Sequence, residues 1–171
     1  DVNAISKIAV NTHLAGAAGT VAGATITRLM AGKTDIVMML NGALAGLVAI
    51  TAEPLTPSPL LAILIGFVGA LIMYFGTKFL ESQRLDDVVG AIPVHMFAGI
   101  FGTLVVPASN PETNFGTQFL GVISVCVFSF ILSYFVFRSM KATIGLRISK
   151  EAEKLGTDKA EVGVVAYSIR D

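Results

Sequence analysis

Two histidines stand inside long stretches that contain no Asp, Glu, Lys or Arg, and they are the residues here best equipped for chemistry. His95 is the eighth residue of the uncharged stretch Val88–Pro107, about 11 Å along it if the stretch is helical. Ala91, His95 and Gly99 recur at four-residue spacing, so a helix aligns them on one face and leaves room beside the imidazole. Neutral imidazole both donates and accepts a hydrogen bond, and its ordinary pKa of about 6.5 suits proton exchange. A histidine that merely bonds a neighbouring helix fits the same position, and position alone leaves both readings open. His13, about 8 Å into the stretch Ile8–Thr27, sits beside Asn11 and Thr12 and reads as a structural helix-to-helix hydrogen bond. Asn41, near the start of the stretch Ile36–Ala52, reads the same way. No carboxylate or cysteine joins these residues at metal-ligand spacing, no nucleophile stands beside a base, and no glycine-rich phosphate loop follows a strand. The sequence therefore points away from an enzyme and implies neither metal nor cofactor.

The elements that position these residues follow from where charge is missing. Ile8–Thr27, Ile36–Ala52, Pro59–Thr77, Val88–Pro107 and Gly116–Phe137 are all uncharged, each about 17–22 residues long, and a helix needs about 20 apolar residues to cross about 30 Å of hydrocarbon. Lipid offers unpaired backbone groups no partner, whereas a helix pairs its own. Five such runs predict an all-α, polytopic membrane helical bundle over residues 1–145, with a short polar tail over 146–171. Composition agrees: 54% of residues are hydrophobic and 14% charged, too apolar for an ordinary soluble domain. The net charge of zero gives no basic surface for nucleic acid. Cys126, the one cysteine, lies in the last run and reads as a small buried apolar residue. The chain opens at Asp1-Val2-Asn3 with neither Met nor a secretory leader, so a piece of a longer polypeptide is expected.

Basic residues set the expected orientation. Arg28 and Lys33 follow the first run, Lys78 and Arg84 the third, and Arg138, Lys141 and Arg147 the fifth; the loops after the second and fourth runs have none. This alternation fits five antiparallel crossings with the N-terminus outside and the tail cytoplasmic, Lys7 alone opposing it. Contact between helices in lipid relies on small residues. Gly19 and Gly23, Gly42 and Gly46, Gly66 and Gly69, and Gly99 and Gly102 predict a compact bundle. The last run carries Phe128, Phe130, Tyr134, Phe135 and Phe137 around its circumference and reads as a peripheral, lipid-facing span.

Four ordered motifs resemble the second half of the ammonium transporter (Amt/Mep/Rh) family. Leu85-Asp86-Asp87-Val88-Val89-Gly90-Ala91-Ile92-Pro93-Val94-His95, running on through Gly99-Ile100-Phe101-Gly102-Thr103-Leu104, looks like the family's tenth membrane helix. Val10-Asn11-Thr12 with the Ala/Gly-rich run after it resembles the seventh, and Leu40-Asn41-Gly42-Ala43-Leu44-Ala45-Gly46-Leu47-Val48-Ala49-Ile50-Thr51 is similar, almost letter for letter, to the eighth. Gly145-Leu146-Arg147, then Ser149, Glu151, Glu153, Gly156, Asp158, Gly163 and Ala166-Tyr167, follow the cytoplasmic tail motif. The resemblance implies an eleven-helix fold of two inverted halves, assembled as a homotrimer with a pore in each subunit. This chain would supply helices seven to eleven and the tail. His95 matches the second of two hydrogen-bonded pore histidines that meet ammonium or ammonia, with Ala91 beside it. Asp87 matches an acidic residue at the foot of that helix and is expected to bond its N-terminus. Gly145, Arg147, Asp158, Gly163 and Tyr167 match the regulatory tail, which in the family reads a PII-type regulator.

The departures matter as much. His13 falls where the family usually carries an apolar residue, so it is not the first pore histidine; that partner and the outer binding site belong to the first-half helices. Val162, Val164 and Val165 stand where transporters usually carry polar residues, and Lys150 replaces a common acid. A sensor-type member, whose tail relays ammonium occupancy to a fused signalling domain, is therefore an alternative to a transporter. A structural scaffold subunit is a third reading.

Overall fold

The computed structural model describes residues 1–166, and among these every regular element is helical. The chain divides into two compact units, Asp1–Ser124 and Val125–Asp171. The division falls well ahead of residue 146, where the sequence places the start of the tail. Tyr167 lies outside the described residues.

In the first unit, α1 spans Val2–Ala31, α2 Ile36–Thr51 and α3 Pro59–Ser82. Local chemistry sets their ends. Asp1, Asp35 and Ser58 each accept a backbone N–H of the first turn, at Asn3, Met38 and Leu61. Pro59 opens α3, where its missing N–H costs nothing, and Gly32 closes α1 at φ 72°. Both α1 and α3 run past the uncharged stretches that predicted them, because a helix needs backbone pairing and not continuous apolarity. The fourth helical run, α4, covers Ile92–Ala108. It opens with a π-helical turn over Ile92–Phe97, becomes α-helical over Ala98–Val105 and tightens to a 3-10 turn over Val106–Ala108. Val88 to Gly90, expected to be helical, form a turn instead.

The bundle closes through small residues. A Cβ on Gly19 would strike the carbonyl of Gly42, and one on Gly42 the carbonyl of Gly19, so the backbones of α1 and α2 touch there. Gly66 meets the backbone of Ala15 in the same way, and Gly102 that of Ala49. A Cβ on Gly99 would meet only ordinary side-chain contact, 3.6 Å from Val48 Cγ1, so this residue is not held to a close approach. Two apolar clusters fill the remainder: Ala15, Ala49, Ile50, Ala62 and Ile65 in one, Ala45, Met73, Val94 and Ala98 in the other.

The loops without basic residues meet at one end. Asn110 donates to Glu53 at 3.1 Å, and the hydroxyls of Thr56 and Ser109 lie 3.0 Å apart. Asn11, fully buried on α1, donates to the carbonyls of Pro54 and Pro57, both at 2.9 Å.

Helix α5 spans Phe115–Thr143 and has no buried residue. Cys126, expected to be buried there, is partly exposed. By length and composition α3 and α5 are able to cross a membrane; α2 and α4 are apolar but shorter, and α1 carries polar residues in its end turns. At about 1.5 Å per residue the 16 residues of α2 span about 24 Å, so the five runs are less uniform as helices than as letters.

In the second unit, Ser149 caps the short helix α6, Lys150–Leu155, by accepting from Ala152 at 3.1 Å. A π-helical turn over Asp158–Val162 follows and ends at Gly163, φ 74°.

Candidate functional site

The candidate site is built on the first turn of α4. Asp86 and Asp87 precede it, and the Asp87 carboxylate spreads over two amides: Oδ1 accepts from Ala91 at 2.9 Å and Oδ2 from Ile92 at 2.8 Å. A carboxylate there meets the positive end of the peptide dipoles as well as two N–H groups without helical partners. Between them Gly90 turns the chain at φ 73°, where a side chain is strained. Asn41, buried on α2, donates its Nδ2 to the Val89 carbonyl at 2.9 Å, tying α2 to this turn. Its partner is thus a loop carbonyl and not a group on a helix.

His95 is the fourth residue of α4, about 5 Å from its start by helical rise, roughly half the depth that counting from Val88 gives. Pro93 and Val94, just before it, are almost completely buried, Val94 against Ala45, Met73 and Ala98. His95 itself is exposed on the face of this chain, as are Ala91, Ile92 and Met96. Its ring makes no hydrogen bond among the described residues. Among the described residues no enclosure forms around the imidazole, and the ring stands exposed on an apolar face. Ala91 and His95 share that exposed face, while Gly99 is half-buried, because the wide turn breaks the four-residue register.

His13 corrects a second expectation. It is exposed, and its Nδ1–H donates to Ala9 O of its own helix at 2.7 Å, not to a neighbouring one. The carbonyl four residues back is always within reach, whereas another helix must be brought there by packing.

Two hollows flank the site, and His95 lines neither. One, about 510 Å³, is an open apolar groove between α3 and α4 lined by Ile72, Phe97, Ile100, Phe101, Leu104 and Val105. The other, about 200 Å³, lies at the foot of α4, where Glu81, Asp86 and Asp87 approach Thr77, Gly90 and Pro93. Glu81 is paired with Lys78 at 2.9 Å.

The tail residues form a set of their own. Ile144 and Gly145 both donate to Met140 O, at 3.0 and 3.1 Å, and Gly145 turns at φ 76°. Arg147 pairs with Glu153 at 2.8 Å, on the surface. Asp158 accepts the Ala166 N–H at 2.9 Å, and that bond, with one from the Lys159 backbone, holds its carboxyl below the ordinary carboxylate range. Val162, Val164 and Val165 are exposed.

Sequence reasoning singled out His95, Asp87 and Asn41 but passed over Pro93 and Asn11. A proline inside an apolar run was the available signal for the first. Asn11, an amide in an uncharged run, carried the same local signal as Asn41, but its partners lie 43 and 46 residues away and were not legible.

The sequence and the overall fold are matched by relatives. An archaeal protein, ammonium transporter Amt2 of Archaeoglobus fulgidus, is 40% identical over 95% of this chain, which covers 39% of that protein. Ammonium transporter Amt1 of Methanocaldococcus jannaschii is 30% identical over 96% of the chain, covering 43% of it. Among solved structures, one described as a sensor Amt protein superposes with a TM-score of 0.83 over 92% of this chain and 42% of its own, at 31% identity. Candida albicans Mep2, at 24% identity and a TM-score of 0.78 over 92% of this chain and 39% of its own, shares the fold. The chain thus spans well under half the length of these relatives. With residues 1–167 matching the family model as well, the chain belongs to the Ammonium Transporter Family, whose members are integral to the membrane.

Proposed function

We propose that this chain supplies one half of an ammonium or ammonia path across the cell membrane, with His95 lining the path at the interface with the first-half helices of the same protein. Inverted-repeat transporters place their substrate path between the two halves. The observation that carries the reading is His95: a bare imidazole on an otherwise apolar, uncovered face, directly after a rigidly built helix start, in a chain of this family. Moving a cation through an apolar passage is costly, whereas neutral ammonia crosses readily. A neutral imidazole can hold ammonia or relay its proton without a fixed charge in the lumen. The first of the paired histidines belongs to the first half, and the assembly is a homotrimer. The five helical runs cross the membrane with the N-terminus outside and the tail in the cytoplasm; the alternation of basic loops, and the meeting of the non-basic ones at one end, support this.

The deciding measurement is uptake of labelled methylammonium by the full-length protein. His95→Ala lowers flux at least about a hundredfold, the scale on which a displaced positioning group acts; flux at the wild-type level makes His95 a packing residue.

A second reading is favoured by the likeness to the sensor Amt structure together with three exposed valines in the tail. Here the same path serves as a sensing site, and the tail docks a fused signalling domain in place of a PII-type regulator. Robust methylammonium flux by the full-length protein removes the pure-sensor form.

A further inference from the structure

We infer that Pro93 and Asn41 act together as positioning residues for His95, by holding the first turn of α4 open as a π turn. The inference rests on the assignment of His95 to the path. The start of a helix leaves amides without partners, and here each is accounted for. The Ala91 and Ile92 amides are taken by Asp87 at 2.9 and 2.8 Å, and position 93 has no amide at all. In a regular α-helix the residue at 93 donates to the carbonyl of Val89. Proline cannot, its ring crowds that carbonyl, and Asn41 Nδ2 takes the oxygen at 2.9 Å instead. Further along, the amide of Ala98 is shared between His95 O and Pro93 O, and its reach back over five residues to Pro93 is the signature of the wide turn.

Both flanks are pinned. Asp87 and Asn41 fix the turn before His95. After it, Ala98 packs into the core with Val94 and Met73, and Gly102 meets the backbone of Ala49. Gly76 on α3 gives space to Phe97 and Pro93: an added Cβ there would strike the Phe97 ring and lie 3.4 Å from Pro93 Cβ. With the ends held, the extra residue of the π turn is taken up between them, where His95 sits. Closing the turn to α geometry rotates the ring relative to the anchored Ala98–Gly102 side by about one residue, or about 100°.

Four variants of the full-length protein test this: Pro93→Ala, Asn41→Ala, the double variant, and His95→Ala. Purified protein gives the melting temperature; methylammonium uptake gives the maximal flux and the half-saturating concentration. Asn41→Ala lowers the melting temperature by leaving the Val89 carbonyl without its donor. Adding Pro93→Ala recovers about half of that loss or more, because an alanine at 93 offers the carbonyl an N–H. The gain in stability does not bring back transport: Pro93→Ala and the double variant lose about tenfold in maximal flux with an unchanged half-saturating concentration, as expected for a displaced group. Strictly additive melting losses overturn the shared carbonyl. Wild-type flux in Pro93→Ala, with flux abolished in His95→Ala, overturns the positioning role while leaving His95 in the path. Wild-type flux in His95→Ala overturns both.

Discussion

At Gly90 two demands meet in one residue. The backbone sits at φ 73°, and a Cβ there would come within 2.8 Å of Asn41 Nδ2, the group that holds Val89. Gly90→Ala is therefore expected to destabilise the protein by about 2 kcal/mol, more than an ordinary surface change, and to weaken the Asn41–Val89 bond as well. Thermal melting in detergent checks the first effect. The sequence showed that Asn41, as a lone amide in an apolar run, needs a partner, because an unpaired buried amide is costly. Which partner it finds was not legible: Val89 lies 48 residues away, in a turn that the sequence had counted as helix. His13 failed for the complementary reason, since its own helix already offers a carbonyl within reach.

Among the elements, the glycines divide into those held by a facing backbone and those that merely fit. Gly19→Val forces α1 and α2 apart at the Gly42 carbonyl and is expected to cost about 1–3 kcal/mol. Gly121→Val on α5, where nothing lies within 4 Å, is expected to change stability by less than about 0.5 kcal/mol. Comparing the two melting temperatures separates interface from exposed face. In the tail, the lowered carboxyl of Asp158 makes a directional prediction. A group depressed by folding stabilises at pH above its unfolded value and loses that contribution as pH falls through its folded one. The Asp158–Ala166 contact is thus complete at neutral pH and released only in acid, which hydrogen exchange at the Ala166 amide reads directly. Spacing of small residues predicted the glycine contacts because three- and four-residue steps follow from helix geometry alone. It could not rank Gly99 below Gly102, since that depends on which side of α4 the wide turn leaves facing α2.

For the whole molecule, α5 makes the simplest statement: a helix of 29 residues with no buried position needs an apolar surrounding that these residues do not supply. Phe128→Arg, at an exposed position in it, is expected to reduce membrane insertion by about 2.5–3.5 kcal/mol, measured as the inserted fraction in a translocation assay. The sequence by itself determined the class of fold and the family, because apolar run length and ordered motifs are local properties that need no knowledge of contacts. Only the tertiary structure decided that α4 begins in a wide turn, that Asn41 and Asp87 share the work of starting it, and that His95 faces outward from its own half. Those outcomes depend on hydrogen bonds and backbone contacts between segments dozens of residues apart, and a linear pattern carries no record of which distant groups meet.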